Sequence, residues 1–258
     1  MKLYDQHMHT NFSYDSKEEL ENYLNLNDKF IVTTEHFDTS NPVTKKDDIP
    51  DYAAYAKRID ELNQVYNNRL LKGVEVGYVK EDVARINAYL ADKDFDVKLL
   101  SVHHNGTYDY MDEEVADMSP EQIIPEYYSS MLDAIEAIPS ANVLAHFDYG
   151  VRVLPIDIDT FKKLAEPYLI PLFQKTIEHQ LAFEVNAKSM WKYGNEVLYE
   201  YAIPLYLAQG GKLFSIGSDA HSVEDYESHF SDAIALLKKH GVNDVVVYQK
   251  GKAIRVEI

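Results

Sequence analysis

A chain of 258 residues, 46% hydrophobic and 26% charged, can bury a large core and can be one domain if it is an α/β barrel. Its formal net charge of −18 opposes binding to a nucleic-acid backbone, and no stretch approaches the roughly 18 apolar residues of a membrane span. The absence of cysteine excludes disulfides and thiolate-held zinc, so any metal must be held by His, Asp or Glu.

Met1 to Tyr4 lead into a short buried strand, with Lys2–Asp5 as its candidate span, and Asp5-Gln6-His7-Met8-His9-Thr10 follows. Two imidazoles at i and i+2 on an extended backbone face the same way, which is half a site for a divalent ion. Ser16–Asn27 opens with Ser16 and has Glu19 three residues on, a capping box ahead of an amphipathic helix. Phe30–Thr34 is the second strand and ends in Glu35-His36; residues 38–51 are polar with two prolines and read as a loop. A helix over Tyr52–Asn67 precedes a strand over Arg69–Gly77, which carries Glu75 among apolar neighbours. Glu81–Lys93 is a helix, and Phe95–Val102 a strand ending in His103-His104. After a loop with acids between Asp109 and Asp117 come a helix over Ser119–Ile138, with Pro120 in its first turn, and a strand over Asn142–Ala145 ending at His146. Phe161–Gln180 is helical, with a break expected around Pro167 and Pro171. The strand Leu181–Val185, the helix Asn195–Gln209, the strand Leu213–Ile216 ending in Ser218-Asp219-Ala220-His221, and the helix Asp225–His240 follow. Val245–Tyr248 and Ala253–Ile258 form a β-hairpin expected to close one end of a barrel or cover an edge.

Alternating strands and helices argue a parallel α/β fold with helices outside, whose functional groups collect at the C-terminal ends of the strands. Seven of the ten histidines (7, 9, 36, 103, 104, 146 and 221) fall at that end, with Glu75 and Asp219. The other three serve as controls: His179 and His229 read as surface residues in helices, and His240 as a helix-end residue. One zinc takes about three protein ligands, so this set suggests two or three metals with a bridging carboxylate. Clustered metals suit phosphoester hydrolysis.

With these motifs in hand (H-x-H after the first strand, T-E-H after the second, G-V-E in the third, S-V-H-H after the fourth, S-D-A-H near the end) the chain resembles the polymerase-and-histidinol-phosphatase (PHP) superfamily from its first strand through His221. The resemblance implies a single domain over 1–258, a distorted (β/α)7 TIM-like barrel with the C-terminal β-hairpin added. It implies three divalent metal ions (Zn, Fe or Mn). The first would take His7, His9, Glu75 and Asp219. The second would share Glu75 and take His103 and His146. The third would take His36, His221 and Asp15, where many members have His. Length and layout look most like the superfamily's stand-alone L-histidinol-phosphate phosphatases of histidine biosynthesis. That implies a small phosphomonoester as partner, attacked by a hydroxide bridging the first two metals.

Arg152, six residues past His146, is the candidate phosphate clamp, with Lys188 as a second. Asp219 or His104 would protonate the leaving oxygen, and His104 could instead meet the phosphate. Glu113 or Asp112, Tyr149 and Trp191 are candidates for an ammonium and an imidazole. Another small phosphoester or nucleotide stays open as substrate; a nuclease is opposed by the charge, a non-catalytic module by the filled ligand positions, and amide hydrolysis by the missing strand-end lysine. No signal-peptide run is present, so cytoplasmic residence without membrane or nucleic-acid partners is the expectation; oligomeric state stays open.

Overall fold

The computed structural model describes residues 2–258. Seven strands form one sheet: β1 (Ile31–Asn41), β2 (Lys46–Asp48), β3 (Leu70–Gly77), β4 (Val97–Ser101), β5 (Val143–Leu144), β6 (Ala182–Asn186) and β7 (Phe214–Gly217). Their order is β2-β1-β3-β4-β5-β6-β7. Neighbours from β1 to β7 are parallel, and β2 alone is antiparallel, on the outer edge of β1. The helices are α1 (Leu20–Leu24), α2 (Tyr52–Asn63), α3 (Val83–Ala91), α4 (Pro120–Ala137), α5 (Ile158–Glu178), α6 (Glu196–Ala208) and α7 (Phe230–Lys239). The fold class expected from the alternation, a mostly parallel α/β sheet, is the one observed.

The first expected strand is different. Its Met1 lies outside the described residues, and Lys2–Asp5 forms no strand ladder. Asp5 and Gln6 replace the ladder with side-chain bonds. The Asp5 carboxylate accepts from the backbone N–H groups of His7 and Ser218 and from the Ser218 hydroxyl. Just beyond, Thr34 N–H donates to the Met8 carbonyl at 2.7 Å and His9 N–H to the Ala220 carbonyl at 2.8 Å. The H-x-H stretch is thus a stave between β1 and the chain leaving β7, and it joins the two ends of the sheet.

The terminal hairpin, β8 (Asp244–Gln249) and β9 (Lys252–Glu257), closes the opposite mouth. Val246, Val247, Tyr248 and Val256 pack in one buried cluster with residues near the starts of the strands, Val32, Val97, Val143 and Ala182. Gln6, fully buried, mimics a peptide unit against this hairpin: its amide donates to the Val246 carbonyl at 2.8 Å and accepts from Tyr248 N–H at 2.6 Å. Replacing Gln6 by Leu leaves both groups buried and unpaired, so we expect a loss of about 2–4 kcal/mol in urea unfolding. A loss below about 0.5 kcal/mol, the level of an ordinary surface substitution, would show that the amide is not part of the closure.

Three further expectations are corrected. The helix from Ser16 shrinks to the five residues of α1, whose N-cap is Glu19; the Ser16 hydroxyl accepts from Glu18 N–H at 3.2 Å in a local turn and donates to the His221 carbonyl at 2.9 Å. Helix α5 runs unbroken through Pro167 and Pro171. The two prolines are four apart, on a side where Pro167 is exposed and Pro171 half-buried, so the carbonyls they leave unpaired can reach water. Strand β1 continues past Thr34, because His36, Phe37 and Asp38 pair with Glu75, Val76 and Gly77; part of the expected polar loop is therefore strand.

Candidate metal centre

Glu75 stands at the middle of the open mouth. It sits on β3 in register with His36 on β1, and both side chains point into the barrel. His103 and His146 each lie two residues past a strand end, β4 and β5, and Asp219 lies two past β7. The parallel sheet puts all these ends at one rim.

The distances divide Glu75 into two faces. Oε1 accepts from the Ser101 hydroxyl at 2.6 Å and lies 2.7 Å from His146 Nε2 and 3.1 Å from His103 Nε2. Oε2 lies 3.3 Å from His7 Nε2, 3.5 Å from His9 Nε2 and 3.2 Å from His36 Nδ1. Asp219 Oδ1 approaches His9 Nε2 at 3.7 Å and His7 Nε2 at 4.0 Å. Asp15 Oδ2 is 2.9 Å from His221 Nε2 and 3.4 Å from His36 Nε2. All nine residues singled out as metal ligands therefore meet around one mouth; eight of them fall in groups whose donor atoms lie close enough to share an ion, and Asp15 joins them through His221 and His36.

The donors also fit a cation. His7 Nε2, His9 Nε2 and Glu75 Oε2 are buried with no hydrogen-bond partner, although buried polar atoms are rarely left unpaired. A cation among these three facing atoms would satisfy them together. The electrostatics agree. Burial and the neighbouring rings of His36 and His221 keep the His9 imidazole neutral, its pKa well below the usual value. Burial pushes the Glu75 carboxyl up, but the imidazoles of His7, His103 and His36 outweigh it and hold it ionised. Asp219 also holds a left-handed backbone, φ 56°, uncommon for a residue other than glycine and often found at functional sites.

Three carboxylates escaped the sequence reading. Glu184 Oε1 holds His7 Nδ1 at 2.7 Å, and Asp38 Oδ1 holds His103 Nδ1 at 2.8 Å. Ser13 Oγ lies 3.3 Å from His9 Nδ1 and donates to Glu35 Oε2 at 2.6 Å. The available signal was a lone acid inside an apolar strand, as in Phe183-Glu184-Val185.

A cavity of about 230 Å³ opens over this centre. Arg152 and Lys188 line it. Arg152 is buried; its Nε donates to Ser189 Oγ at 3.0 Å, and its guanidinium lies 4.8 Å from the Tyr149 ring and 5.1 Å from that of Tyr193. It faces Asp219 Oδ2 at 3.5 Å, while Lys188 donates to Asp219 Oδ1 at 2.9 Å. Tyr149 packs against His103 and His146.

Two expected residues are elsewhere. His104 is buried away from the cavity, with Nδ1 accepting from Gly106 N–H, because consecutive residues of an extended chain point to opposite sides. Glu113 starts a short 3-10 turn and is exposed in a surface hollow with Asp112, Glu114 and Asp117. Trp191 lines a second cavity, also about 230 Å³, which shares Lys188 and Asp219 with the first. Its ring lies parallel to that of His229 at 4.9 Å. His229, expected inside a helix, instead precedes α7 in a left-handed conformation.

A family model, the PHP domain, matches residues 5–188. The chain is 28% identical over 252 residues to a protein of Clostridium acetobutylicum named "Probable histidinol-phosphatase", covering 94% of this chain and 96% of that one. It is 26% identical to the "Histidinol-phosphatase" of Lactococcus lactis, covering 96% and 95%. It is 24% identical to a "Probable histidinol-phosphatase" of Thermotoga maritima, covering 99% and 100%. The crystal structure of histidinol phosphate phosphatase from Lactococcus lactis, complexed with Zn, L-histidinol and phosphate, superposes with a TM-score of 0.86 at 23% identity, over 97% of this chain and 98% of that one. That likeness bears on the fold.

Proposed function

The chain belongs to the PHP domain family, and on that premise we propose that it is a metal-dependent phosphomonoesterase that converts L-histidinol phosphate to L-histidinol and phosphate in histidine biosynthesis. The observation that carries the chemistry is the ring of buried, unpartnered donors around Glu75, with two cations on the wall of the cavity above it. The substrate follows from the relatives matched over nearly their whole length, which carry the histidinol-phosphatase name.

His7, His9, Glu75 and Asp219 would hold one ion, Glu75, His103 and His146 a second, and Asp15, His36 and His221 a third. Zn, Fe and Mn all suit such ligands. When bound, such ions lower the pKa of water and neutralise charge on a phosphoryl group. The chain's own residues then supply placement. Arg152 offers a planar, always-charged fork that matches phosphate oxygens, and the Tyr149 and Tyr193 rings with Ser189 keep it from swinging away. Asp219 ties the two halves together: Oδ1 faces the histidines and Lys188, and Oδ2 faces Arg152. Trp191 and the second cavity, which opens past Lys188, offer an aromatic face for an imidazole.

Phosphate release from L-histidinol phosphate, p-nitrophenyl phosphate and a short oligonucleotide tests the assignment. Selective turnover of the first supports it; preference for another ester would keep the phosphatase and overturn the substrate. With the preferred ester, Arg152→Met is expected to lower kcat/KM by about 10²–10³-fold, and Arg152→Lys to recover little of it because the fork is lost. A change of Arg152→Met within threefold of wild type would remove the clamp role.

A further inference from the structure

We propose that Asp38 is a positioning residue that couples two of the ion sites, by holding His103 and His36 from behind through their Nδ1 atoms. The proposal rests on the three-ion reading above. Asp38 lies on β1, buried. Its Oδ1 is 2.8 Å from His103 Nδ1. Its Oδ2 is 3.4 Å from His36 Nδ1, which also lies 3.2 Å from Glu75 Oε2, and neither Asp38 Oδ2 nor His36 Nδ1 has another hydrogen bond.

The consequence follows from imidazole chemistry. A proton held on Nδ1 leaves the lone pair on Nε2. His103 Nε2 points to Glu75 Oε1 at 3.1 Å, in the second site. His36 Nε2 points to Asp15 Oδ2 at 3.4 Å, in the third. One carboxylate, with one oxygen for each ring, therefore sets the tautomer and direction of a ligand in each of two sites. Glu184 makes a simpler contact of the same kind, one oxygen to His7 Nδ1 at 2.7 Å and the other to the His146 backbone N–H at 2.8 Å.

The backbone makes room for both acids in the same way. A Cβ built on Gly77 would overlap Asp38 Oδ1 and stand 3.3 Å from His103 Nδ1; one built on Gly217 would overlap Glu184 Oε1. Each glycine is the last residue of its strand, β3 or β7. Each strand end thus carries a notch that seats an acid against a histidine. Gly77 supplies a second handle on Asp38, because a methyl group there displaces the carboxylate without changing any charge.

Two variants, Asp38→Asn and Gly77→Ala, test this by competitive chelation, with bound metal counted by mass spectrometry. An amide is neutral and its oxygen is a weaker acceptor than a carboxylate's, so Asn weakens the hold on both rings. Against a wild type holding three zinc ions, both variants are expected to keep one ion at wild-type affinity. Both should hold the other two about 10–100-fold more weakly. Glu184→Gln should weaken an ion that the Asp38 variant leaves intact. Melting in excess chelator reads the metal-free fold separately. Wild-type affinity for all three ions in both variants, or weakening of one ion alone, overturns the coupling. So does equal weakening of all three that tracks a lower metal-free melting temperature, because that is a folding defect. A wild type that holds fewer than three ions overturns the three-ion reading itself and removes the coupling with it, a result that no variant is needed to recognise.

Discussion

Glu75→Ala is expected to lower kcat/KM by about 10³-fold or more, equivalent to about 4 kcal/mol of lost transition-state stabilisation, and to reduce the ions held per chain by at least one. The reason is its position. Among the described residues the carboxylate is the single side-chain acid within 3.5 Å of five imidazoles, those of His7, His9 and His36 through one oxygen and those of His103 and His146 through the other. Removing it takes the shared anion from two proposed sites at once and leaves those rings facing one another. Steady-state phosphate release with metal analysis on the same sample checks both parts. Glu75→Gln is the sharper comparison, because it keeps the shape and removes the charge. If either variant retained more than a tenth of wild-type kcat/KM with full metal, Glu75 would not be the bridge.

Removing the metal from the intact chain should be nearly as severe, and it is read in stability as well as in rate. A ligand that binds the native state alone, present at a thousand times its Kd, contributes about 4 kcal/mol. For a chain of this size about 2–4 °C accompanies each kcal/mol, so stripping even one such ion should lower the melting temperature by roughly 8–16 °C. Calorimetry with and without chelator, followed by return of Zn or Mn, measures it. Activity should vanish and return with the metal. An unchanged melting temperature at full activity would mean that the centre works without metal.

The rim of the barrel was legible because imidazoles are sparse along a chain, and seven of them fell where apolar runs stopped. That needs only the positions of strand ends, and β3 to β7 lie close to where alternation placed them. What was not legible is which way a side chain turns once a strand ends. His103 and His104 are adjacent, and the resemblance made the first a ligand while leaving the second a role at the substrate; the backbone sends the first into the mouth and the second away from it. Glu113 fails for a related reason, since nothing in its own neighbourhood says that the loop lies outside the cavity. Glu184 was missed from the opposite side, because an acid inside a strand reads as an oddity unless its partner ring is known; Asp38 was missed because it read as the start of a polar loop that the structure makes strand. The N-terminal stave is harder still, because its closure runs through the side chains of Asp5 and Gln6, where a pattern of apolar residues carries no information.

That closure has a consequence for the order in which the molecule comes together. The amide of Gln6 meets β8 across 240 residues of sequence, and Tyr4 reaches Tyr248 in the same way. Contacts of such long separation are entropically costly until the rest of the chain has collapsed. His7 and His9 ride on the stave that this clasp secures. A nascent chain can build most of the wall and bond the stave to Thr34 and Ala220, but the clasp cannot shut until β8 has been synthesised. The seal beneath the centre is therefore expected to be the last part of the ring to be set.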